Sequence, residues 1–181
     1  KIFQSDNGPR NVVYAGSFMG YKNVETIIKS MEYLPDHKLF LLGPVSQKRK
    51  KQLEAIIPKH AKVEFFGGYT TKPYANILSN NAVLVTASKD EGFGLPVAEA
   101  MAFGIPVVIS DIPVFHEVAG DGALYANPDS PIDFAEKIKK LDDSVFKKQQ
   151  IQKGLKHVEK FSWDKSAAKL FELIQKINSD K

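Results

Sequence analysis

The sequence predicts an α/β fold, a doubly wound parallel sheet of about six strands with helices on both faces. Two observations predict it. Short apolar runs alternate along the chain with stretches whose apolar residues recur at helical spacing, the pattern of repeated strand–helix–strand units. One stretch, Ser88 to Ile109 (SKDEGFGLPVAEAMAFGIPVVI), shows such a unit in full. It follows a buried strand at Ala82 to Ala87, turns on Gly92 and Gly94, and enters a helix at Pro96. It leaves that helix at Gly104 and Pro106 and starts a second buried strand at Val107.

The elements follow in order. Lys1 to Arg10 is polar, contains Asn7-Gly8-Pro9, and reads as a linker arm. Asn11 to Ser17 is the first strand, ended by Gly16. A helix from about Val24 to Leu34 carries Ile27, Ile28, Met31 and Leu34 on one face, with Asn23 as its expected N-cap. Lys38 to Gly43 is the second strand. Ser46 to Ile57 is an amphipathic helix whose Lys48, Arg49, Lys50 and Lys51 are expected to form a solvated basic face. Val63 to Phe66 is the third strand, followed by Gly67-Gly68-Tyr69, and Lys72 to Leu78 is a short helix. Beyond the central stretch, Glu117 is expected at a helix start and Ala123 to Ala126 as the last core strand. A helix opened by Pro131 carries Phe134, Ile138 and Leu141. Val145 to Val158 is a mostly polar helix. The terminal helix begins at Ser162 as N-cap and bears a Leu170, Leu173, Ile174 and Ile177 stripe.

The chemistry concentrates at the glycine turn. Pro96 is suited to a first helical turn, where its missing N–H is not needed. A tight turn into a helix aims unpaired backbone N–H groups and the positive end of the helix dipole at one point, which favours an anion, most often phosphate. Glu91 and Glu99 flank that point, because helical side chains lean toward the helix N-terminus. An ionised carboxylate only accepts hydrogen bonds. Two of them beside a phosphate suit hydroxyl groups, and a phosphate between hydroxyl-bearing groups describes a nucleotide-sugar.

Glu91 to Val108, EGFGLPVAEAMAFGIPVV, resembles the signature of the glycosyltransferase group 1 family, retaining enzymes of the GT-B fold. The Glu-x7-Glu spacing, both glycines, Pro96 and the Ala-Met-Ala-x-Gly-x-Pro-Val-Val tail all agree. The resemblance extends from about Asn11 to Ile177 and implies a Rossmann-like C-terminal half of a GT-B enzyme. It implies that Glu91 contacts the donor sugar, that Gly92, Phe93, Gly94 and Leu95 receive the diphosphate or the sugar on backbone amides, and that Glu99 holds the ribose. It implies a phosphate contact for Lys22 beside Gly16 and Ser17, with Lys22 and Glu91 the catalytic pair. Many family members carry Arg where this chain has Ser17, a departure from the family's basic clamp. Tyr69, by the same resemblance, is a candidate for holding the base. His116 is expected at the substrate rim rather than as a general base.

With 181 residues, 43% hydrophobic and 25% charged, the chain fits one soluble domain, 1–181. No apolar run reaches the length of a membrane span and no leader pattern opens the sequence. The absence of cysteine excludes disulfides and thiolate–metal sites, and no Asp-x-Asp pair offers a metal site. A formal charge of +4 does not imply nucleic acid, since acidic residues are nearly as numerous. The expected function is binding of a UDP- or GDP-sugar, without metal, for transfer of a hexose such as mannose or glucose to a glycan or lipid-linked acceptor. The acceptor domain, the other half of a GT-B enzyme, is expected to lie outside these residues, leaving them inactive alone. The expected location is cytoplasmic, with a peripheral contact at the inner face of the membrane as an added option. The alternatives are a nucleotide-binding module without catalysis, to which Ser17 points, and a related GT-B phosphorylase or epimerase.

Overall fold

The structure is a computed structural model and describes residues 10–67, 77–78 and 81–179. Six strands form one sheet: β1 (Arg10–Ala15), β2 (His37–Leu42), β3 (Lys62–Phe66), β4 (Ala82–Thr86), β5 (Val107–Ser110) and β6 (Ala123–Ala126). Their order is β3-β2-β1-β4-β5-β6 and every pairing is parallel. The helices are α1 (Val24–Ser30), α2 (Gln47–Glu54), α3 (Leu95–Ala102), α4 (Pro113–Ala119), α5 (Pro131–Lys140), α6 (Ser144–Val158) and α7 (Trp163–Ser179).

Strand alternation divides the core between two faces. Val12 and Tyr14 of β1 and Val83 and Val85 of β4 pack with Ile27 and Ile28 of α1, Leu53 of α2 and Phe134 and Ile138 of α5. Val13 of β1 and Leu84 of β4 pack on the other face with Val97 and Met101 of α3, Phe115 and Val118 of α4 and Val158 of α6. The central strands are buried on both sides, so they carry near-continuous Val, Leu and Ile. Each such side chain contributes about 1.5–3 kcal/mol when fully buried. The chain builds outward from β1 to β3, then returns to β4 on the opposite side of β1. The order therefore reverses between β1 and β4, and the ends of these two strands diverge into a crevice.

Several boundaries differ from the sequence expectation. β1 ends at Ala15 rather than Ser17, and α1 tightens into a 3-10 turn at Met31–Tyr33 instead of continuing to Leu34. Glu117 stands in the last turn of α4, not at a helix start, because Pro113 opens that helix. Asn23 occupies the N-cap position of α1 in a left-handed conformation, φ 49°, without a side-chain cap. Its amide donates instead to Pro128 O at 2.6 Å. Ser46 does cap α2, accepting from Arg49 N at 3.2 Å. The short helix expected at Lys72 to Leu78 lies mostly outside the described residues. The apolar stripe of α7 is exposed, with Leu170 at 59% and Ile177 at 61%. No helix among the described residues is long and apolar enough to cross a membrane.

Candidate functional site

A partly open crevice of about 50 Å³ lies at the switch point. Its floor is Tyr14, Ala15 and Gly16 at the end of β1 and Leu84, Val85 and Thr86 of β4. Its walls are Lys22, Glu91, Gly94, Pro96 and Val97. Parallel strands place all these residues at the carboxyl edge of the sheet, where loops leave for the helices above.

Gly94 builds the mouth. It is left-handed, φ 88° and ψ 50°, and stands at the N-cap of α3. A Cβ at this residue would lie 2.6 Å from Cε1 of Phe115, a buried α4 side chain. Glycine is therefore required twice, for the backbone conformation and for the close approach. Gly92 carries no such requirement, since a Cβ there meets nothing within 4 Å. The expectation that both glycines serve a tight turn is corrected to Gly94 alone. Val97 N and Ala98 N both donate to Gly94 O, at 2.9 and 3.4 Å. The head of α3 thus faces the crevice with the positive end of its dipole.

Lys22 lies on a 3-10 turn, Gly20–Lys22, between β1 and α1. Its Nζ is 2.7 Å from Glu91 Oε1 and 2.7 Å from Glu91 Oε2. Both side chains are largely buried, 16% and 12% exposed. A chain of hydroxyls supports the carboxylate. Ser88 Oγ donates to Glu91 Oε1 at 2.8 Å, and Thr86 Oγ1 lies 2.9 Å from Ser88 Oγ. The two loops are joined by backbone as well, Lys89 N donating to Tyr21 O at 2.8 Å. The arrangement holds one cation and one anion as a neutral pair beside a helix N-terminus. Such a pair can divide its charges between an incoming phosphate and an incoming hydroxyl group.

The residues singled out from sequence separate into three groups. Gly16, Lys22, Glu91 and Gly94 come together in the crevice. Gly92, Phe93 and Leu95 are exposed residues of the turn and Glu99 is exposed on α3, none of them among the crevice-lining residues. Ser17 sits below, its carbonyl accepting a hydrogen bond from Tyr14 Oη. Tyr69 lies outside the described residues. His116 pairs with Asp111 at 2.6 Å and stacks on Tyr125 at 4.2 Å between ring centroids, outside the crevice lining. Tyr125 donates to Phe115 O at 3.1 Å and Gly120 O at 2.7 Å. Burial, with Asp121 and Asp111 nearby, pushes its hydroxyl up to about 12, so it stays a neutral donor. The sequence reading missed Ser88 and Thr86, whose hydroxyls carry no motif of their own; only their place at the end of a buried strand points to them.

Comparison with known proteins bears on the family and the fold. The chain is 35% identical over 130 residues to the O-antigen chain mannosyltransferase RfbU of Salmonella typhimurium, covering 70% of this chain and 37% of that protein. Its fold matches sucrose-phosphate synthase of Thermosynechococcus elongatus with a TM-score of 0.84 at 25% identity, over 98% of this chain and 47% of that one. It also matches Anabaena Alr3699/HepE, solved in complex with UDP and glucose, with a TM-score of 0.81 at 18% identity, over 92% and 48% of the two chains. The chain therefore spans about half the length of these solved structures, and less of the mannosyltransferase. Residues 1–157 match the family described as Glycosyl transferases group 1, and the chain belongs to that family.

Proposed function

We propose that these residues form the donor-binding half of a retaining glycosyltransferase that takes a hexose from a UDP- or GDP-sugar. The observation that carries this reading is the Lys22–Glu91 pair at the head of α3, in the switch-point crevice. In it the diphosphate lies on the Gly94 turn, held by Phe93, Gly94 and Leu95 amides and the α3 dipole. Lys22 turns from Glu91 to the phosphate, and Glu91, released, accepts from a sugar hydroxyl. Glu99 accepts from the ribose. Positive charge from Lys22, the amides and the dipole stabilises the leaving diphosphate, with no metal in the scheme. The sugar leaves with its anomeric configuration kept. Mannose is the first candidate, because the relative with 35% identity is named a mannosyltransferase. The acceptor, a glycan or a lipid-linked glycan, is taken by an N-terminal domain or subunit outside these residues.

A thermal-shift panel of UDP- and GDP-sugars tests the reading. One ligand at ~100 times its dissociation constant stabilises by about 2.7 kcal/mol. Lys22→Met should abolish most of that shift. A panel in which no nucleotide-sugar shifts the melt overturns the proposal. So does turnover by these 181 residues alone at about 1 per second or more, because the acceptor half would then be unnecessary.

A further inference from the structure

We infer that Arg49 is a positioning residue for the Lys22 cation, and that it fixes the β1–α1 loop in the diphosphate-receiving form. The inference rests on reading the crevice as a diphosphate site. The basic run of α2 does not behave as a uniform solvated face. Lys48 and Lys51 are exposed, and Lys50 reaches Glu54 at 3.6 Å. Arg49 alone turns inward, its side chain 22% exposed, and crosses to the neighbouring loop.

Its guanidinium spans both sides of the Lys22 turn. Nε donates to Phe18 O at 3.0 Å, ahead of that turn, and Nη1 lies 2.7 Å from Glu25 Oε1, in α1 just beyond it. The preceding carbonyl, Ser17 O, is held by Tyr14 Oη. Two successive carbonyls of the loop are thus tied from the sheet and from α2. The turn then closes with Lys22 N on Met19 O and Asn23 N on Gly20 O, both at 3.0 Å. A planar fork with several fixed donors can hold a carbonyl and a carboxylate together, whereas a lysine ammonium is a single point of charge. Nη2 is buried and has no partner among the described residues.

The consequence falls on Lys22. A loop that samples several conformations delivers its lysine to the phosphate in only some of them, and the ordering cost then appears in binding. Arg49 removes that cost ahead of the ligand, and so acts on phosphate recognition without touching the phosphate.

The test is a titration of the full chain, its Arg49→Lys and Lys22→Met variants and the double variant. The probes are UDP and GDP, with uridine and guanosine as phosphate-free controls. Arg49→Lys should weaken the diphosphate about 5- to 10-fold, leave the nucleoside within about 2-fold, and have almost no effect once Lys22 is Met. An equal loss with and without Lys22, a loss shared by nucleoside and diphosphate, or no loss overturns the inference. If Arg49→Lys does not melt cooperatively, Glu25→Gln decides by the same pattern, because it releases the fork and keeps the arginine. A wild-type chain that binds neither UDP nor GDP removes the diphosphate reading and this inference with it. Binding by wild type together with a flat Arg49 series removes this inference alone.

Discussion

Lys22 and Glu91, 69 residues apart in sequence, share a bidentate ion pair at 2.7 Å in the crevice. The carboxylate would by itself repel a diphosphate. Paired, it presents no net charge, and the lysine stands within reach of either ligand group. The pair also means that each residue's substitution changes the state of the other.

Glu91→Gln should therefore act differently on two ligands. It frees Lys22 for phosphate, so bare UDP or GDP should bind as well as before or slightly better. The nucleotide-sugar loses a charged acceptor for a hydroxyl, worth about 1.5–3 kcal/mol. The expected outcome is a fall of roughly 10- to 100-fold in the preference for nucleotide-sugar over bare diphosphate. Calorimetric titration with both ligands measures it, and an equal loss for both would remove the sugar contact.

Glu99→Gln should weaken both ligands alike, by about 1.5–3 kcal/mol, if the ribose is its partner. Glu99 is exposed on α3 and outside the crevice lining, so the fold does not depend on it. The melting temperature of the free chain should stay unchanged. An unaltered affinity for both ligands would return Glu99 to plain surface.

Gly94→Ala should destabilise the chain by about 2–5 kcal/mol. The left-handed backbone at φ 88° costs a residue with a Cβ about 1–2 kcal/mol. The 2.6 Å approach to Phe115 adds an overpacking cost of about 1–3 kcal/mol. Gly92→Ala, with open space around it, should stay within about 0.5 kcal/mol of wild type. Urea unfolding of the two variants distinguishes them, and equal stabilities would contradict the geometry.

Glu25 should add an acid-sensitive increment to stability. Burial tends to raise its carboxyl, but the hydrogen bond and charge of Arg49, its own backbone and Lys29 bring it below the ordinary 4.5. A folded-state value below the unfolded one gives stability that is present above the unfolded value. That stability is lost as pH falls through the folded one. Wild type should exceed Glu25→Gln by a constant amount above about pH 5, and the two should converge in acid below 4.5. Glu25 is half-buried, so the increment should stay under about 1 kcal/mol. Unfolding curves across pH 3–7 measure it; a gap that widens toward acid has the wrong sign.

The sequence alone determined what depends on neighbours in the chain. Buried strands announce themselves by continuous apolar runs, and all six expected strands are present. The Gly94 turn, Pro96 in the first turn of α3 and the left-handed Gly104 after its end are local demands of backbone geometry, readable at one position each. The Glu-x7-Glu stretch identified the family because its spacing is set by one turn and one helix. Tertiary structure decided every pairing across the switch point. Lys22 meets Glu91, Ser88 supports that carboxylate, Asn23 spends its amide on Pro128 rather than on capping α1, and Arg49 leaves a basic face to hold Phe18. Except for Ser88 to Glu91, these contacts join residues 31 to 105 positions apart. The contacts of Lys22 and Asn23 exist because the strand order reverses between β1 and β4 and brings the ends of distant strands to one edge, and Arg49 reaches Phe18 because β2 pairs beside β1. Propensity and periodicity act within a few residues and carry no information about which distant loop arrives at that edge.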